Sequence, residues 1–297
     1  MLSFSQFTFL KEEAEAAAKP LSAGRQWHVD HPVDHMNIVA HFDEASKDEH
    51  HHGMNWYRDA HQYAKDIGKS TGMSTHAIAG LASTYSPQTD WHSNMINAAR
   101  VARSKKAVGG LGQPAYHKYG KAFATGSSKD TAQRILGGES YETALKGQKT
   151  KAFARLIEHG GDKDPGDPQV VVDRHAHSVA SGSRITDAAF GSAGLSGKKK
   201  YGELKAAYVK AAEHINNRTG AQPGESHYVH PHQVQSVTWL VRQRLNNEEE
   251  ARGAKTPKAQ GKLHKTAIKR DAARKNWRNY AGTWHPGLAH MFEGREY

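Results

Sequence analysis

Apolar residues recur at helical spacing along most of the chain. From Gly53, the positions Trp56, Tyr57, Ala60, Ala64 and Ile67 fall on one face of a helix that Gly68 closes. Ser74 or Thr75 is placed to cap a second helix carrying Ile78, Leu81 and Tyr85, which Pro87 ends. Asp90 opens a third, with Trp91, Met95, Ala98 and Val101 inward, and the Gly-rich stretch 109–114 breaks the pattern. Short helices are predicted around 131–136 and 141–145, with another at about 150–158. A long helix over 198–216 carries Tyr201, Leu204, Tyr208, Ala211 and Ile215 on one side. The last strong pattern begins near Pro231, a favourable first-turn residue, and buries Val234, Val237, Val241 and Leu245. At the N-terminus, Phe4, Phe7, Leu10 and Ala14 predict a short amphipathic helix over 1–18. The His-rich passage 28–52 has weak periodicity and reads as loop or partly ordered structure. Residues 160–168, with three Gly, two Pro and three Asp, read as a loop. Val170, Val171 and Val172 form the one strongly β-like run, too short to build a sheet.

The fold class is therefore mainly α: a multi-helix globular core over 25–250, an N-terminal amphipathic leader over 1–24, and a basic C-terminal segment, flexible or helical, over 251–297. No run of eighteen apolar residues is present, so no spanning helix and no membrane partner are expected. The first residues lack the basic start of a secretory signal peptide. Cysteine is absent, which excludes disulfides, thiolate zinc sites and a cysteine nucleophile. Histidines cluster at His28, His31 and His35, at 50–52, at His175 and His177, and at His227, His230 and His232. Neutral imidazoles in such pairs can ligate zinc. No HExxH pattern accompanies them, so surface or hydrogen-bonded histidines, with no metal and no cofactor, are expected. The 109–112 glycines lack the Lys-Ser/Thr pair of a phosphate-binding loop.

Charge adds a partner to this picture. Arg252, Lys255, Lys258, Lys262, Lys265, Lys269, Arg270, Arg274, Lys275 and Arg278 share their stretch with one acid, Asp271, and hold a net +9 of the chain's +11. A concentrated block of this kind neutralises phosphates and releases counterions, which points to a nucleic acid, with double-stranded DNA as the partner expected; a solvated tail that keeps the protein soluble is the plainer alternative.

The densest chemical signal lies between 145 and 181. Leu145-Lys-Gly-Gln-Lys-Thr-Lys-Ala-Phe-Ala154 sets a glycine turn between two short helical segments. The turn offers Gly147, Gln148 and Thr150, with the helix N-terminus, to a phosphate oxygen. Val170-Val-Val-Asp-Arg-His-Ala-His177 then puts an acid at the start of a new helix, where an N-cap is the plainest role for Asp173.

Over about residues 75–185 the chain resembles the helix-hairpin-helix DNA glycosylase superfamily, whose bifunctional members carry a Leu-x-Gly-x-Gly-x-Lys hairpin followed by an apolar run ending in Asp. The resemblance sets the hairpin at about 140–160, with Gly147 at its first glycine. It implies Lys151 as nucleophile and Asp173 as the catalytic aspartate, and 86–94 resembles a family element upstream. Lys149 stands where the family has its second glycine, and is itself a rival for the functional amine. Lys151 and Asp173 are 22 residues apart, with the 160–168 loop to absorb the extra length. If the resemblance holds, the neutral lysine amine attacks the sugar C1′ and the aspartate stabilises positive charge on the sugar. A flipped, damaged or modified base would then sit against aromatic residues, Tyr85 and Trp91 being the candidates. The start, Met1-Leu-Ser-Phe-Ser-Gln-Phe through Leu10-Lys-Glu12, resembles leaders of proteins packaged into tailed-phage heads and trimmed after Leu-x-Glu. That likeness implies a phage protein of the host cytoplasm or virion, with capsid or head proteins as further partners. The alternative reading is a non-enzymatic DNA-binding or structural virion protein.

Overall fold

The computed structural model describes residues 21–86, 91–105, 126–161, 167–193 and 197–275. The expected 1–18 helix, the Asp90 cap, the 109–114 break and Arg278 lie outside these residues. Among the described residues there are thirteen helices and no strand: α1 (Ala23–Asp30), α2 (His35–Asp43), α3 (Lys47–Thr71), α4 (Thr75–Thr84), α5 (Trp91–Ser104), α6 (Gly126–Leu136), α7 (Tyr141–Ala144), α8 (Gln148–His159), α9 (Arg174–Ala180), α10 (Asp187–Ala193), α11 (Lys198–Thr219), α12 (Pro231–Arg252) and α13 (Pro257–Lys275).

Several helices form as their sequence predicts. Ser74 caps α4 by accepting from Ala77 N, and Pro231 opens α12. α8 and α11 extend past their expected ends to Gly160 and Gly220, both left-handed, the conformation that glycine adopts without penalty.

The passage 28–52 corrects the sequence reading, because it is helical. α1, α2 and the start of α3 occupy it, capped by Ser22, Asp34 and Ser46. Their periodicity is weak because polar side chains do part of the packing. Glu49 is buried, closes a capping box with Ser46 and accepts from Arg244 Nε at 2.9 Å. α3 likewise runs through Gly68 and stops at Gly72. The leader boundary at 24/25 falls inside α1.

Two apolar clusters make the core. One joins α3, α4, α5, α6 and α8, and includes Tyr63, Ile67, Leu81, Met95 and Leu156. The other joins α2, α9, α11 and α12, and includes Ile38, Leu204, Tyr208 and Val237. The β-like valines are a strap between them. In an extended chain successive side chains point to opposite sides. Val171 accordingly packs into the first cluster, and Val170 and Val172 into the second. Tyr201 ties the strap down, its hydroxyl donating to Val170 O at 2.7 Å. α13 packs along α12 and touches α5.

Candidate functional site

Where the first cluster meets α12 and the end of the valine strap, a cavity of about 90 Å³ opens. Trp56 and Tyr57 from α3, Trp91 from α5, Phe153 from α8 and Trp239 from α12 form its aromatic walls. Trp56 lies 5.2 Å from Trp91 and 5.3 Å from Trp239 between ring centroids, and Trp91 meets Phe153 edge to face at 5.5 Å. Its polar lining is Ser86, Lys149, Asp173, Gln235, Ser236 and the buried Asn94.

Each polar group has a local reason to be where it is. Lys149 stands four residues before Phe153, and residues four apart share a helix face. Lys151, two residues further on and about 200° round the helix, is exposed on the outer surface. Thr150 stiffens the start of α8, its Oγ1 donating to Gly147 O at 2.9 Å. A network behind the turn holds α4, α7 and α8 together. His76 Nδ1 lies 3.0 Å from Glu158 Oε1 and His76 Nε2 lies 3.1 Å from Ser140 Oγ, while the Tyr141 hydroxyl donates to Glu158 Oε2 at 2.6 Å. Burial pushes the Glu158 carboxyl up, but the bonds from Tyr141 and His76 outweigh it and hold the group below the usual carboxylate range.

Asp173 ends the valine strap and caps α9, its Oδ1 accepting from Ala176 N at 2.8 Å. Two residues on, burial lowers the His175 imidazole below its ordinary value; the Asp173 charge opposes this, and Lys149, Arg242 and Arg174 add to it. His175 Nδ1 accepts from Asn246 Nδ2 at 3.4 Å, and Asn246 Oδ1 accepts from the buried Arg242 Nε at 2.9 Å. Arg242 also pairs with Glu249. Burial, reinforced by the Asp173 charge, raises the Tyr57 hydroxyl well above its ordinary value, so it stays a neutral donor.

The structure thus brings Lys149, Asp173 and Trp91 together and leaves Lys151 outside. Tyr85 is buried in the first cluster and does not line the cavity. Gly147 is exposed, and Gln148 and Thr150 are half-buried beside it. Arg252, Lys255, Lys258, Lys262 and Lys265 are exposed at the end of α12 and along α13, and Lys269, Arg270, Arg274 and Lys275 continue that helix. The sequence reading did not nominate Asn94, Gln235 or Trp239 for the site. Gln235 and Trp239 stand four apart on α12, a spacing that was visible without a reason to single it out.

Among the described residues no group of three or more His, Asp or Glu is arranged to hold a metal ion. No described helix is long and apolar enough to cross a membrane. Fold and site together define an all-helical protein with an aromatic cavity holding one lysine and one aspartate from separate elements. The chain belongs to DUF7178, a family of unknown function, whose model matches residues 15–248. No curated protein and no solved structure matches it.

Proposed function

We propose that this is a DNA-binding protein of the helix-hairpin-helix glycosylase kind, which takes a flipped base into the aromatic cavity. In this reading α7, the link 145–147 and α8 are the helix-hairpin-helix, and Gly147, Gln148 and Thr150 approach the phosphate backbone. The observation that carries it is the convergence of Lys149 and Asp173, 24 residues apart in sequence, on one cavity walled by three indoles. A lysine amine beside a carboxylate in an aromatic slot suits attack at a sugar carbon whose base is held by stacking.

The chemistry assigns one role to each group. The lone pair of Lys149 Nζ attacks C1′, and the base leaves with the electrons of the glycosidic bond and takes up a proton. The sugar ring opens as the covalent imine forms. The Asp173 carboxylate stabilises positive charge on the sugar while the bond breaks. The α13 cations supply affinity that is independent of sequence.

The second reading, a non-enzymatic DNA-binding or virion protein, is favoured by the Asp173 N-cap, which gives that carboxylate a structural role without chemistry. Borohydride separates the two. Duplexes carrying deaminated, oxidised, alkylated or phage-type hypermodified bases are incubated with the protein and then reduced. The enzyme reading expects a stable protein–DNA adduct or free base with at least one duplex. Binding to all of them with neither product supports the second reading.

A further inference from the structure

The polar lining of the cavity carries more than the lysine and the aspartate. Asn94 is 1 % exposed, and its Oδ1 is sealed from solvent with no hydrogen-bond partner among the described residues. The Ser86 Oγ is in the same condition. Leaving a buried polar atom unsatisfied is costly to a fold. A side-chain amide held this way beside a cavity is a group kept for an occupant. Gln235 is buried as well, but its Oε1 already accepts from the Tyr57 hydroxyl at 3.2 Å. What Gln235 offers the cavity is therefore its amide N–H. The Ser86 hydroxyl rotates to donate or accept and so does not discriminate between bases, whereas the two amides present a fixed set: one acceptor and one donor from Asn94 and one further donor from Gln235.

An occupant that satisfies this set needs one donor and two acceptors on its edge. Uracil and thymine supply them as N3–H, O2 and O4, and cytosine as an N4–H, N3 and O2. Guanine presents two donors and one acceptor along the same edge, and adenine one of each.

From this lining we infer that the cavity is selective for a pyrimidine-type base, read by Asn94 and Gln235 at its Watson–Crick edge. The inference rests on the proposed function and names the substrate class for that site.

The test uses the full chain and short duplexes that differ at one unpaired position: uracil, thymine, cytosine, adenine, guanine or a tetrahydrofuran abasic analogue. Binding is read by fluorescence anisotropy in competition with fully paired duplex. An unpaired pyrimidine binds about tenfold more tightly than an unpaired purine or the abasic analogue, the equivalent of one satisfied buried polar group. Asn94→Asp, which keeps the shape and the acceptor but removes the donor, and Asn94→Leu both erase that preference and leave affinity for paired duplex unchanged. Equal or tighter binding of purines overturns the inference, as does a preference that survives in both variants. If imine trapping succeeds with no pyrimidine preference, the selectivity falls alone. If no duplex binds, the inference falls together with the proposed function.

Discussion

At Gly53 the backbone of α3 runs against α12 with no room for a side chain. An added Cβ would stand 2.5 Å from Val237 Cγ2, 2.6 Å from Val237 Cα and 2.7 Å from Val237 N. Ser236 Oγ donates to Gly53 O at 2.8 Å across the same contact. This close approach brings Trp56 and Tyr57 of α3 to the cavity alongside Gln235 and Trp239 of α12. Gly53→Ala is expected to lower stability by about 1–3 kcal/mol, the usual cost of overpacking a filled core, measured by urea denaturation. Two of the three close atoms are backbone, so adding Val237→Ala is not expected to restore it. The same scale shows what a pattern of letters conveys about the site. The turn before α8 and the acid are legible as Leu145-Lys-Gly and Val172-Asp173. Which lysine faces inward is not, since it depends on where α8 begins: Gly147 is the N-cap, and the apolar face of Ala152, Phe153, Leu156 and Ile157 carries Lys149 inward and Lys151 outward.

The elements that sequence periodicity finds are those that bury an apolar stripe, as α4, α11 and α12 do. α1 and α2 escape it because histidines occupy part of their packing faces. The Ser46-Lys-Asp-Glu49 capping box was the available signal that α3 begins before Gly53. One of these histidine contacts makes a pH prediction. His177 on α9 is fully buried and stacks on His28 of α1 at 5.2 Å, while His28 Nε2 hydrogen-bonds Ala189 O of α10 at 2.9 Å. Burial lowers His177 to about 4, with the Lys200 and His28 charges adding to the effect. Burial likewise lowers His232 to about 3. The folded value is below that of the unfolded chain, so the unfolded state takes up the proton first as pH drops. The stability is fully present above pH 6.5 and is lost progressively from 6.5 down towards 4. Melting temperature is expected to fall across that window, ahead of ordinary carboxylate titration. His177→Phe should flatten the fall; an unchanged slope would show that another group governs it.

For the whole molecule, the concentration of +9 in one stretch was legible in composition, whereas its surroundings were not. α13 presents Lys258, Lys262 and Lys265 at spacings of four and three, a stripe on one side of the helix, while Ala259, Leu263 and Ala267 are half-buried. If this stripe is the main electrostatic contact, replacing the three lysines with Gln weakens DNA binding. The slope of log affinity against log salt should then fall by about 0.9 for each lysine that meets a phosphate. An unchanged slope removes α13 from the interface. The cavity was illegible for a different reason: its walls come from α3, α5, α8 and α12 and from the segment before α9, and only packing assembles them. Its chemistry is also where the central claim is most exposed. The most direct measurement is borohydride trapping with a competent duplex, applied to the wild type, Lys149→Ala and Lys151→Ala, with mass spectrometry of the DNA-linked peptide. An adduct on Lys149 is expected, with its loss in Lys149→Ala and its persistence in Lys151→Ala. An adduct mapped to Lys151, or one that survives in Lys149→Ala, would contradict it.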